Sequence, residues 1–155
     1  MDAKVAARKP SYFKMRAQML EQGRTNTLLA WTDNMWATLK VYAAGGENGL
    51  HTHPNEDHTF IVLQGRARFH QPGQPSRELG RNEGILLPAG ALYKFETAAD
   101  EPLILLRVGN VWQPVNGDAH VDNSGRQDTQ GAAFGAHTKA NKGSKGVPIP
   151  GAFYE

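Results

Sequence analysis

Between residues 26 and 109 the chain is cut into short β-forming runs by turn signals every eight to twelve residues. NTLLAWT (26–32) and MWATLKVYA (35–43) are separated by Asp33-Asn34, a tight-turn pair. HTFIVLQ (58–64), RARFHQ (66–71), ILL (85–87), LYKFET (92–97) and LILLRVG (103–109) follow, broken by Gly65, PGQPS, PAG and AADEP. HTH (51–53) reads as a further short strand and PNED (54–57) as the turn after it. Such punctuation predicts an all-β chain, a sandwich or a barrel. The 17 glycines and 9 prolines fit that turn-rich class better than a helical bundle.

Alternation assigns faces to the strands. In 35–43, Met35, Ala37, Leu39 and Val41 share one face, and Trp36, Thr38, Lys40 and Tyr42 share the other. Both faces hold apolar groups, as suits a strand covered on one side and partly covered on the other. Upstream, SYFKMRAQMLEQ (11–22) is predicted to form a short amphipathic helix, capped by Ser11 and ended by Gly23. Three regions are expected: an N-terminal segment with that helix (1–24), a barrel (25–112), and a polar, Gly-rich tail (113–155). Residues 113–146 alone would be read as disordered. The closing VPIPGAFYE is apolar and stiffened by Pro148 and Pro150, and is expected to dock on the barrel or on a partner subunit.

Composition narrows the function classes. A chain of 155 residues is most simply one domain with a real core. The net charge is +2 and the basic residues are scattered, so no nucleic-acid partner is expected. No apolar run approaches the ~18 residues of a membrane span, and MDAKVAARKP lacks a signal-peptide stretch. Cysteine is absent, which removes disulfides and thiolate metal sites. The expectation is a cytoplasmic protein without a membrane partner.

Chemistry concentrates in HTHPNEDHTFIVLQG (51–65). His51 and His53 are two apart and leave one face of a strand. The turn reverses the chain, and His58 opens the next strand on the face of Phe60 and Val62. Two neighbouring strands can therefore aim three imidazoles at one point. Neutral imidazole suits Zn²⁺, Fe²⁺, Ni²⁺ and Cu²⁺, and three such ligands leave a position open. The alternative is a polar turn that happens to be rich in histidine. His70, His120 and His137 have no such company and read as surface residues.

At these residues the sequence resembles the cupin family. Gly45, five residues, His51-Thr52-His53, four residues, His58, six residues and Gly65 reproduce the spacing of that family's first motif, with His58 where it usually has Glu. The second motif is represented by Pro88-Ala89-Gly90; Tyr93 stands in place of its His, Asn82 in place of its first Gly and Thr97 in place of its final Asn. The resemblance covers residues 35–109. Asp57 is the other acidic candidate, but strand register set by Phe60, Val62 and Gly65 favours His58. Glu56 and Asp57 are expected to form the turn or to hydrogen-bond an imidazole.

The resemblance implies a double-stranded β-helix (jelly-roll) barrel, often a homodimer, with a divalent transition metal (Fe, Zn, Ni or Mn) between its walls. It implies His51, His53, His58 and Tyr93 as metal ligands. Tyr93 is alternatively a general acid or substrate hydrogen-bonder, or a core tyrosine with a satisfied hydroxyl. Trp36, Phe60 and Phe95 are expected to wall a substrate pocket. Three neutral imidazoles leave the full dipositive charge on the metal, which favours an anionic substrate or dioxygen beside a chelated one. Surface ion-pairing is expected of Arg66, Arg68 and Arg107, with one facing a substrate carboxylate as the alternative. Dioxygenase chemistry on a small anionic or carbonyl-bearing molecule leads over lyase or isomerase chemistry; the alternative is a non-enzymatic module that binds a small molecule or metal.

Overall fold

The computed structural model describes residues 9–32, 34–44, 49–54, 56–110, 120–121, 127–128 and 146–155. Among these residues there are strands and no helix. Alternating, β-branched and aromatic runs build a five-stranded antiparallel sheet. Its members are β2 (Arg24–Trp31), β3 (Met35–Tyr42), β4 (His58–Gln64), β7 (Gly84–Leu87) and β9 (Leu103–Asn110), in the order β2-β3-β9-β4-β7. Opposite it lies a three-stranded sheet, β6-β5-β8, from β5 (Ala67–His70), β6 (Arg77–Leu79) and β8 (Lys94–Thr97). β10 (His120–Val121) and β11 (Gln127–Asp128) form a separate small ladder.

The core sits between the two sheets. Tyr42, Phe60, Val62, Leu87, Leu103 and Leu105 from the larger sheet meet Ala67, Phe69, Leu79 and Phe95 from the smaller. Phe95 lies edge-on to Tyr42 at 4.9 Å between ring centroids and 5.3 Å from Phe60. The other face of the larger sheet is also covered. Leu39, Val41 and Ile104 pack there against Ala17 and Leu20. Burial on both faces explains why β3 is apolar on both of its alternating sets.

That second layer is where the predicted helix fails. Residues 11–16 have no regular structure and β1 (Ala17–Gln22) is a strand paired antiparallel with β12 (Val147–Tyr154). Ala17 pairs with Tyr154 and Gln18 with Phe153, and the Gln18 amide reaches the carbonyls of Ile149 and Ala152 at 2.7 and 2.8 Å. The closing segment thus supplies backbone partners from the far end of the chain, and that contact outweighs local helix propensity. Gly23 does adopt a left-handed conformation (φ 83°), but it turns β1 into β2 rather than ending a helix. HTH is likewise not a strand: a single bridge joins His51 to Tyr93.

Alternation along β9 fixes the inner wall. Leu103 and Leu105 face the core between the sheets and Ile104 faces the second layer. Arg107 and Gly109 therefore continue the inward set. Register brings Thr38 and Phe60 to either side of Arg107, and Trp36 and His58 to either side of Gly109.

Candidate metal centre

His53, Glu56 and His58 converge at one end of the inner wall. All three are buried, and one ligand atom from each lies within 4.8 Å of the others. His58 points inward at the start of β4, edge-on to Phe60 at 5.5 Å between ring centroids. The loop carrying His53 and Glu56 is tied down on both sides. Gly90 N donates to the His53 carbonyl at 3.0 Å. Asp57 accepts from Ala89 N at 2.8 Å, and its own N–H donates to the Asn110 side chain at 2.9 Å. Asp57 is thus a clamp between the 88–90 turn and β9, which leaves Glu56 to turn inward.

Glu56 Oε2 stands 3.2 Å from His53 Nδ1. A carboxylate beside Nδ1 favours the proton there and turns the Nε2 lone pair toward the centre. Tyr93 Oη lies 3.3 Å from that Nε2. Burial pushes the Tyr93 phenol well above its ordinary pKa of 10.0, with Arg107 opposing and Tyr42 and Glu56 reinforcing the rise. The neutral phenol is the stable form.

His51 is close but outside this group of donors. Its Nδ1 is 2.8 Å from the Gly49 carbonyl, and its ring centroid is 5.1 Å from that of His53 and 4.4 Å from that of Tyr93. Two reciprocal backbone hydrogen bonds, each 3.0 Å, hold His51 against Tyr93. Of the expected pocket residues, Trp36 and Phe60 border the centre, whereas Phe95 sits among Tyr42, Phe60 and Phe69 in the packed core.

Arg107 corrects the expectation of a surface ion pair. Arg66 and Arg68 do pair at the surface, with Glu78 and Glu96, but Arg107 is 4% exposed. Its guanidinium carbon lies 4.5 Å over the Trp36 ring. Its Nη2 lies 3.3 Å from His53 Nε2, 3.4 Å from His58 Nδ1 and 3.4 Å from Glu56 Oε2. One side-chain atom of each of the three residues thus meets the same arginine nitrogen. The sequence signal was the inward parity of 103, 105 and 107, overridden by the usual surface habit of arginine.

Residues 38–109 match the family model described as a cupin domain. Among solved structures, the chain is similar to KdgF from Halomonas sp., with a TM-score of 0.58 at 16% identity over 68% of this chain and 96% of that one. It is also similar to BH2720 from Bacillus halodurans, with a TM-score of 0.57 at 22% identity over 74% and 90%. A double-stranded β-helix protein from Klebsiella pneumoniae gives 0.55 at 20% identity over 72% and 90%. No curated protein matches the chain. Such similarities establish the fold. The donor set itself fits the metal that the family implies: two imidazoles and a carboxylate are the ligands of non-haem Fe²⁺ and equally suit Zn²⁺.

Proposed function

Taking as premise that this chain carries a cupin domain over residues 38–109, we propose that it is a metal-dependent enzyme acting on a small anionic or carbonyl-bearing molecule. Dioxygenase-type chemistry is favoured over lyase or isomerase chemistry. The observation that carries this reading is the buried set of two histidines and one glutamate with a protonated tyrosine beside it. His53, Glu56 and His58 would hold the ion, and a ferrous ion so held supplies dioxygen and substrate activation.

The remaining work falls to the chain. Tyr93 Oη, held neutral by burial and 3.3 Å from His53 Nε2, would offer its proton to a substrate group bound beside the centre. Trp36 and Phe60 exclude water from one wall, and both lie against the Arg107 guanidinium. Arg107 supplies a fixed positive charge where an anionic group would enter.

The second reading is a non-enzymatic binding module. It is favoured by Arg107 Nη2, which already gives the three donors a cationic partner. The discriminating experiment is purification without chelator, metal identification, and oxygen uptake against thiols, diols, phenols and ketoacids. A ferrous protein with uptake, reduced ~10²-fold or more in Tyr93→Phe at unchanged iron content, is the expected result. Zinc or no metal, with no uptake, would refute the dioxygenase and leave the binder.

A further inference from the structure

The inner wall beside the metal donors carries several buried cationic side chains. Among the described residues, the buried charged side chains are Arg24, Lys40, Arg107 and one carboxylate, Glu56. That carboxylate faces His53 and Arg107. Lys40 lies on the inward set of β3, between Thr38 and Tyr42, and is 3% exposed. Its Nζ stands over the Tyr42 ring, 5.5 Å from the centroid. A buried ammonium in this setting is costly. Burial, then Arg107 and Arg24, hold its pKa well below the ordinary value.

Two further donors stand beside it. Thr38 is the cross-strand partner of Arg107. Its Oγ1 is buried without a hydrogen-bond partner among the described residues, and so is Nε of Arg107. Three donors, two of them on cationic side chains, thus share one patch of the inner wall. The far nitrogen of the same guanidinium touches the metal donors. A carboxylate matches this patch: it has two oxygens, about four acceptor positions and one negative charge.

We propose that Thr38, Lys40 and Arg107 form a carboxylate-binding subsite, so that the small molecule taken by this barrel enters with its carboxylate on β3 and β9. The rest of the molecule then lies against Trp36, Phe60 and the His53–Glu56–His58 centre. This deepens the reading of the barrel as a small-molecule site, but it does not require the metal.

The test uses the full chain stripped with chelator, with benzoate as probe and chloride at equal ionic strength as control. Benzoate at ten times its dissociation constant shifts the folding equilibrium about elevenfold, which is about 3 to 6 °C in midpoint for a chain of 155 residues. The wild type is expected to show that rise. Lys40→Met should lose it and should melt above the wild type in chloride, because a costly buried charge is gone. Thr38→Val, nearly isosteric, should keep the fold and weaken benzoate several-fold. No benzoate shift in the wild type, or equal shifts in wild type and Lys40→Met, overturns the subsite. A parallel titration with Co²⁺ keeps the two readings apart: a benzoate shift without cobalt absorption sinks the metal centre alone, and cobalt binding without a benzoate shift sinks the subsite alone.

Discussion

Gly109 sits in the middle of a sheet, where glycine is normally a weakness, and Gly109→Ala tests how the centre is walled. A Cβ at this position would lie 2.4 Å from Trp36 Cζ2, 2.8 Å from Cη2 and 3.0 Å from the Asp57 carbonyl. Carbon atoms rest at about 3.5–4.0 Å, so the indole must retreat by about 1 Å. Its ring is buried and carries Arg107 above it at 4.5 Å, so the retreat moves the guanidinium too. Overpacking of this kind costs about 1–3 kcal/mol. The loss of backbone freedom in the unfolded chain returns about 0.4–1 kcal/mol. The clash wins, and a net loss of about 1–2 kcal/mol lowers the midpoint by about 2–8 °C. Thermal unfolding of Gly109→Ala measures it. Trp36→Phe removes both indole atoms in question, so the double mutant should be less destabilised than the sum of the singles by about 1 kcal/mol. An unchanged midpoint in Gly109→Ala, or strict additivity, would refute this account of the wall.

Arg107→Met should raise Co²⁺ affinity at least about tenfold, because like charges around one centre repel; calorimetric titration with equal or weaker binding would contradict that. Lys40 gives a pH signature. Its folded pKa lies well below 10.5 through burial, Arg107 and Arg24, against Glu56. Between that lowered value and 10.5 the unfolded state holds more protons, so stability rises with pH. Melting midpoints at successive pH values should therefore show the deficit of wild type relative to Lys40→Met narrowing as pH climbs; a constant gap counts against a charged Lys40 in the barrel. Deleting residues 146–155 removes the partner of β1 and uncovers Leu20, which is 2% exposed. Losing that one burial costs about 1.5–3 kcal/mol, and denaturant unfolding of the truncated chain should show at least that much.

What the sequence revealed and what it hid divide along a physical line. β3, β4 and β9 were legible because their apolar and β-branched runs alternate and end at turn signals. His58 was placed by register, since a one-residue slip would reverse Phe60 and Val62 as well. β1 was not legible. Its partner lies at the opposite end of the chain, and no local pattern reports such a pairing. Glu56 was hidden for another reason. It and Asp57 are adjacent acids in a turn, and the choice between them depends on Asp57 clamping Ala89 and Asn110. That clamp brings together three separate stretches of sequence.

Arg107 shows how charge, rather than donor count, decides what this barrel can take. Three imidazoles alone would present a neutral cage to a dication. Here His53, His58 and Glu56 already face a guanidinium through Nε2, Nδ1 and Oε2, and Lys40 stands on the same wall. Adding a dication to such an interior raises like-charge repulsion in a medium that screens it poorly. An anion beside Arg107 and Lys40 lowers that repulsion, so metal and anion should assist each other's binding. Co²⁺ titrations with and without saturating benzoate measure the coupling directly. Tighter cobalt binding in benzoate is the expected sign, and it should vanish in Lys40→Met. Weaker cobalt binding in benzoate would mean that the two ligands compete for one place, and that the carboxylate sits on the histidines rather than on β3 and β9.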